Sequence, residues 1–208
     1  MKDVKQEFTE IYNKYIKREG ADKLLEYLNK SDFFTCPAST KFHNACESGL
    51  CAHSLNVYKR LVKNLENEYG DNWEEKYSHE SIAIIGLLHD ICKVDTYIVE
   101  QKNVKEYCED GLKFDSKGKY NWVIKDQYAI EDKLPYGHGE KSVYILSGFM
   151  HLTRIEAMAI NWHMGGFDAR VKGGSYSLTD AYYDFPLCLL THISDLQASF
   201  LDEEKGDK

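Results

Sequence analysis

The chain has 208 residues, 43% of them hydrophobic and 13% aromatic, enough to fill one core and to exclude an intrinsically disordered protein. A mean hydropathy of −0.53, with no apolar run near the roughly 18 residues of a spanning helix, excludes an integral helical membrane protein. Twenty-six basic residues against 34 acidic ones give a net charge of −8, which argues against a duplex nucleic acid as partner but not against a small anion held beside a bound cation.

The opening string MKDVKQEFTE is charged throughout, so no secretory signal is expected and the protein is expected in the cytoplasm. Six cysteines without a C-x-x-C pair are then expected as reduced thiols. Cys46, Cys51 and His53 have the residue types of a zinc site but lack a second pair at a suitable spacing. Val4, Phe8, Ile11, Tyr12, Tyr15 and Ile16 follow a helical period that Gly20 ends, and Ala21, Leu24, Leu25 and Leu28 predict a short second helix. These make an N-terminal helical extension over residues 1–33. After a loop through Pro37, Leu50, Tyr58, Leu61, Val62, Leu65 and Tyr69 mark a third helix. The string SIAIIGLLHDICK is apolar on nearly every side, which predicts a buried central helix.

The pattern then changes. Aromatic and β-branched runs (TYIV, YNWVI), split by Gly111 and Gly118, predict one or two β-hairpins near residues 96–135. Helical periodicity returns at KSVYILSGF, and Thr153 with Glu156 forms a capping-box signature for the next helix. A last helix is expected near Pro186, with Leu189, Ile193, Leu196 and Phe200 as its core stripe and a frayed acidic tail over 202–208. The expected fold is mostly α with a small β-hairpin insertion, residues 34–201 forming the main domain.

Several histidines stand where an ordinary core role is awkward. His89 and Asp90 are adjacent at the end of the most apolar helix, where a buried carboxylate is costly unless it is paired or binds a metal. His53 lies in the first turns of the preceding helix, His138 between two glycines before a helix, and His163 after a tryptophan at a helix end. Asp195 interrupts an apolar segment. Together they offer four imidazoles and two carboxylates, a set suited to Fe, Mn, Co, Zn or Ni rather than Ca, and without the thiolates of a structural zinc site.

The order H…HD…H…H…D resembles that of the HD-domain metal-dependent phosphohydrolases, and so do the strings GLCAHSLNVYKRL, IIGLLHDICKVDTY, LPYGHGEKS, AINWHMGG and LLTHISDLQAS. The resemblance runs from about Phe34 to Leu201, and the stretch FFTCPASTKFHNACESGLCAHSLNV is similar to the HD half of certain bacterial 3′-to-5′ exoribonucleases, without their nucleic-acid-binding domain. It implies an all-α HD bundle whose hairpin insertion covers one side of the pocket. It assigns His53, His89, Asp90 and Asp195 to one divalent transition-metal ion and His138 and His163 to a second, with Asp90 bridging. The implied reaction is hydrolysis of a phosphoester of a nucleotide or related small phosphate compound by a metal-activated hydroxide.

Under the same resemblance Lys93 contacts phosphate, and Asp90 and Lys93 carry catalysis. Tyr136 and Lys141, beside the GHG segment, are expected at the substrate. His43, Lys41, Arg60, Arg154 and Arg170 are further cationic candidates, and His192, one turn before Asp195, is expected to back the ligands. No membrane partner is expected, and the sequence leaves the oligomeric state open. Two other functions fit the same residues: a di-iron oxygenase of the HD type, and a non-catalytic nucleotide-binding module.

Overall fold

The computed structural model describes residues 3–203; positions 204–208 of the expected tail lie outside the described residues. Helix α1 (Val4–Tyr15) starts where the Asp3 side chain accepts from the Lys5 amide, and α2 (Ala21–Lys30) follows a tight turn at Gly20. Phe8, Tyr12, Leu24, Leu28 and Phe33 are fully buried, and they share one core with Leu50, Leu61 and Leu65 of α3 (Gly49–Tyr69).

Helix α4 (His79–Leu88) is the central helix that its sequence predicts. Every residue from Ile82 to Leu88 is buried, so no face of it meets solvent. Gly86 sets how close α3 comes: a Cβ at that position would lie 2.6 Å from Cα of Tyr58. The α-helix ends after Leu88, and a short 3-10 turn (Ile91–Lys93) carries the chain out of the core.

The β insertion is one antiparallel sheet of β1 (Tyr97–Tyr107), β2 (Lys113–Asp115) and β3 (Gly118–Ile130), in the order β1-β3-β2. The register runs from Tyr97 opposite Ile130 to Tyr107 opposite Tyr120. Its root is fixed to the helical body. The Glu131 amide donates to the Thr96 carbonyl, the Tyr97 hydroxyl to the Ala38 carbonyl, and the Lys141 ammonium to Asp132 and Thr96. Beyond the root most side chains on both faces are solvated, including Val99, Trp122 and Ile124. The ribbon therefore runs out into solvent, which corrects the expectation that it covers one side of the pocket.

Helix α5 (His138–Ser147) leads to α6 (Arg154–Asn161), whose capping box is formed in both directions between Thr153 and Glu156. Glu156 also accepts two 2.7 Å bonds from Arg18 and one of 2.6 Å from the Ser81 hydroxyl, tying α6 to α4 and to the segment between α1 and α2. Gly139 allows α5 to reach the end of α6, since a Cβ there would stand 2.2 Å from the Asn161 carbonyl oxygen. The short helices α7 (Ala169–Lys172) and α8 (Ser177–Asp184) precede α9 (Pro186–Gln197), which has proline in its first turn.

The core stripe of α9 is not the expected one. Leu189 is 39% exposed and Phe200 is 71% exposed, while Ile193 and Leu196 are only partly buried. The fully buried side carries Leu187, Cys188, Thr191, Ser194 and Ala198. Small side chains let α9 lie close to α3, and the two hydroxyls cost little there because each donates to a carbonyl one turn back, Thr191 to Leu187 and Ser194 to Leu190.

A polar seam joins the two helices. Asn64 donates to Ser194 and Gln197, and Arg60 grips Asp202 in the π-helical turn Ala198–Asp202 that ends α9. Asp202 and Glu203 are therefore pinned by side-chain bonds, in contrast to the frayed tail expected from residue 202.

Candidate metal centre

Five segments converge beneath the end of α4. His53 lies on the buried face of α3 with Leu50, Ser54, Val57 and Leu61, at the spacing of one helical stripe. His89 caps α4 and Asp90 begins the 3-10 turn, so both leave the helix as its backbone changes course. His138 is the first residue of α5 rather than a loop residue before it. His163 follows the Trp162 cap of α6, and Asp195 projects from α9.

All six side chains meet. His53 Nε2 is 3.2 Å from His89 Nε2, 3.3 Å from Asp195 Oδ1 and 3.4 Å from Asp90 Oδ2. Asp90 Oδ1 lies 2.8 Å from His138 Nε2 and 3.2 Å from His163 Nε2, while its Oδ2 lies 3.6 Å from His89 Nε2 and 2.6 Å from Lys93 Nζ. The two oxygens of Asp90 thus face different pairs of histidines. In the groups His53–His89–Asp90 and His89–His163–Asp195, one ligand atom from each residue lies within 4.8 Å of those of the other two.

The outer nitrogen of each deep histidine is already engaged. His89 Nδ1 is 3.0 Å from the Gly86 carbonyl oxygen and His163 Nδ1 is 2.6 Å from that of Ile160. A carbonyl only accepts, so both Nδ1 atoms carry a proton and Nε2 is the position left for a ligand. His53 Nδ1 lies 2.9 Å from Glu203 Oε1, with the same consequence. His163 Nε2 is fully buried without a hydrogen-bond partner, although Asp90 Oδ1 is 3.2 Å away. A buried nitrogen lone pair facing a carboxylate oxygen is unfavourable unless a cation, a proton or a metal ion, lies between them.

The charge balance points the same way. Burial pushes the His89 imidazole down to about 3, so it is neutral and free to ligate. Burial acts to raise the Asp90 carboxyl, yet Lys93 beside it and the neighbouring histidines hold it well below the usual carboxylate range. The same contest keeps Asp195 ionised: burial raises its carboxyl, and the contact with His53 Nε2, whose own pKa burial lowers but the neighbouring carboxylates hold well above the usual imidazole range, outweighs that. For His138, burial alone would lower the imidazole, but Cys92 and the hydrogen bond to Asp90 carry it up to about 10. Of the three carboxylates around the cluster, Asp90 pairs with Lys93, while Asp195 and Glu203 meet His53. Four imidazoles and two carboxylates suit a divalent transition metal in donor type, and Nε2 of His53 and of His89 face each other as ligands of a common ion would.

The other residues expected at the site fall at differing distances from this cluster. Lys93 is mostly buried and its ammonium pairs with Asp90. Lys141 is buried with its ammonium on Asp132 and Thr96, at the root of the sheet. Tyr136 is 53% exposed and stacks on Tyr144. Arg60 is bonded to Asp202, and Arg170 to Asp168, Glu140 and Asn161. His192 donates through Nδ1 to the His163 carbonyl at 2.7 Å, behind the cluster.

No family model, curated protein or solved structure matches this chain. What is shown of its chemistry is therefore the cluster itself. Sequence reasoning missed two members of its surroundings. Glu203 sits in a string of acidic residues that reads as solvated tail, and nothing in the sequence distinguishes it from its neighbours. Cys92, whose thiol lies within 4.8 Å of ligand atoms of Asp90 and His138, is one of six scattered cysteines and is marked only by standing two residues after Asp90.

Proposed function

We propose that this protein is a phosphohydrolase of the HD-domain type, holding two divalent transition-metal ions and cleaving a phosphoester of a nucleotide or related small phosphate compound. The observation that carries the metal reading is the buried His163 Nε2, which has no hydrogen-bond partner and faces an oxygen of Asp90. Fe, Mn, Co, Ni or Zn fits the donor set, with His53, His89, Asp90 and Asp195 holding one ion and Asp90, His138 and His163 the other. When bound, such ions supply a hydroxide near neutral pH and positive charge for phosphoryl oxygens.

The chain's own groups would do the rest. Asp90 divides its two oxygens between the two sets of histidines, so one carboxylate fixes the spacing of both halves of the centre. His89, His163 and His53 are held as Nδ1–H tautomers by the Gly86 carbonyl, the Ile160 carbonyl and Glu203, which leaves Nε2 available on each. Among the described residues Lys93 is the lysine or arginine in direct contact with the cluster, and it holds an ammonium where a phosphate oxygen needs a positive partner. Lys141, Arg60 and Arg170 are engaged elsewhere, so the proposed substrate contact rests on Lys93. A single cation suits a small substrate with one terminal or bridging phosphate better than a polyphosphate chain. The excess of acidic residues gives a long nucleic acid nothing to follow.

The test is turnover of a panel of nucleoside monophosphates, triphosphates and cyclic nucleotides by protein loaded separately with Mn, Co, Ni, Zn and ferrous iron. Release of phosphate or opening of the cyclic ester with at least one metal, abolished by chelation, is the expected result. Metal binding with no hydrolysis of any phosphoester, but with oxygen consumption by the ferrous form, would replace the hydrolase with the oxygenase. Nucleotide binding with neither reaction would leave a binding module.

A further inference from the structure

Glu203 stands out among the groups around the centre because its burial has no obvious structural return. Its side chain is only 1% exposed, and no lysine or arginine is ion-paired with it among the described residues. A buried carboxylate is costly unless hydrogen-bonded, and this one is bonded on both oxygens. Oε1 accepts from His53 Nδ1 at 2.9 Å and from Asn56 Nδ2 at 3.3 Å, and Oε2 is bonded to His43 Nδ1 at 2.7 Å.

The chain also bends to put it there. The last helix opens into a π turn over Ala198–Asp202, a departure from α geometry that shifts the phase of whatever follows it. His53, Asn56 and Arg60 lie on one stripe of α3, spaced three and four residues apart. Asn56 and Arg60 hold Glu203 and Asp202, and the carboxylate so delivered meets the outer nitrogen of His53.

We infer that Glu203 is a positioning residue of the metal centre: its carboxylate fixes the tautomer and ring orientation of His53, so that His53 Nε2 faces Asp90, Asp195 and His89. His43 completes the arrangement by occupying the second oxygen, so that Glu203 turns its first oxygen to His53. The inference rests on the metal centre proposed above. Its role is distinct from that of a ligand, because Glu203 acts only through His53. A carboxylate behind a ligating histidine raises the basicity of the ring and holds its plane, and loss of such a partner typically weakens metal binding by about 10–100-fold.

The experiment compares the parent with Glu203→Ala, Glu203→Gln and Asp202→Asn. Zn2+ and Mn2+ affinities are measured by competition with a chelating dye at fixed pH, and the Co2+-loaded proteins are compared by their visible absorption bands. Glu203→Ala should bind about 10–100-fold more weakly and show altered Co2+ bands, because His53 is free to turn. Glu203→Gln should recover part of the affinity, since its amide oxygen still accepts from His53 Nδ1. Asp202→Asn loosens the same turn without touching His53, and should stay within about 2-fold of the parent with unchanged bands.

Circular dichroism of each metal-free variant checks that the fold is retained. Should Glu203→Ala fail to fold, the Gln and Asn variants decide between them: a loss for Gln with altered bands, absent in Asn, supports the inference. A parent that binds metal tightly while Glu203→Ala and Glu203→Gln both match it would overturn the inference and leave the centre standing. An equal loss in Asp202→Asn would reduce Glu203 to a fastening of the chain end. A parent that binds none of these ions would overturn the centre and this inference together.

Discussion

Nε2 of His53 and Nε2 of His89 face each other across 3.2 Å, and the Nδ1 of each ring is already bonded to an oxygen. Two bare imidazole nitrogens do not hold that distance by attraction. Something positive belongs between them, a proton shared in the metal-free protein or a metal ion bound by both. The arrangement is paid for by α4, whose buried apolar turns hold the His89 backbone rigid.

A ligand that binds only the folded state raises apparent stability. Transition metal at about 100 times its dissociation constant should stabilise the protein by about 2.7 kcal/mol. The check is a thermal melt of chelator-treated protein with and without Zn2+, Mn2+, Co2+ or Ni2+. No rise in Tm with any of the four would contradict a preformed centre.

Asp90 and His163 should differ in what their loss removes. Asp90 serves both groups of histidines through its two oxygens, whereas His163 offers one nitrogen. Elemental analysis should find close to two ions per chain in the parent, fewer in His163→Ala and fewest in Asp90→Ala, with turnover falling in the same order. Asp90→Asn is the companion variant, because Ala strands the mostly buried Lys93 and costs roughly 3–5 kcal/mol of stability. Activity of Asp90→Asn equal to the parent at matched metal loading would remove Asp90 from the centre.

Lys93→Ala should leave metal content unchanged and lower kcat/KM on the best phosphoester by about 1.5–3 kcal/mol, roughly 10–150-fold, the range of a hydrogen bond to a charged group. Lys93→Arg should not restore it fully, since a planar fork replaces a compact point charge. Steady-state kinetics at fixed ionic strength decide this. Unchanged kinetics would confine Lys93 to neutralising Asp90.

Away from the centre, Glu156 and Arg18 set an acid limit on stability. Glu156 is fully buried, and although burial raises its carboxyl, hydrogen bonds from Arg18, Ser81 and the Thr153 amide hold it below the usual value. Its folded pKa is therefore lower than its unfolded one of about 4.3, so the stabilisation is complete above that pH and lost as pH falls towards the folded value. Glu156→Gln should cost roughly 3 kcal/mol at pH 7, and the gap to the parent should narrow below about pH 4. Urea melts at pH 7 and pH 3 measure both. A gap that is the same at the two pH values would mean that charge on Glu156 is not what Arg18 needs.

Part of the helical frame was legible where a helix states its own boundary, whereas α7 and α8 carry no periodicity that marks them in the sequence. Gly20 caps the start of α2, although α1 already ends at Tyr15, five residues before the glycine expected to stop it; Thr153 and Glu156 cap α6, and Pro186 opens α9. The His89–Asp90 pair was conspicuous because polar residues directly follow a run that tolerates none. The stripe of α9 was misread for a physical reason. Hydrophobic periodicity reveals a face only when the other face is polar, and α9 has leucines around most of its circumference. Its buried side is marked by Thr191 and Ser194, whose hydroxyls are satisfied within the helix and so read as surface residues. The ribbon's direction and the burial of Glu203 depend on tertiary neighbours that a local pattern does not contain.

The seam between α3 and α9 joins residues far apart in the chain, with His53 on the first helix and Asp195 on the second. Closing so long a loop carries an entropic cost before any contact across it forms, and such contacts slow folding. The centre that spans the seam is complete only once α9 has docked, and a contact of such sequence separation is expected to close late in folding. An interaction absent from the folding transition state leaves the folding rate alone and acts on the way out. Bound metal would thus work as a latch: it would not hasten assembly, and its effect would appear in how long an assembled molecule lasts.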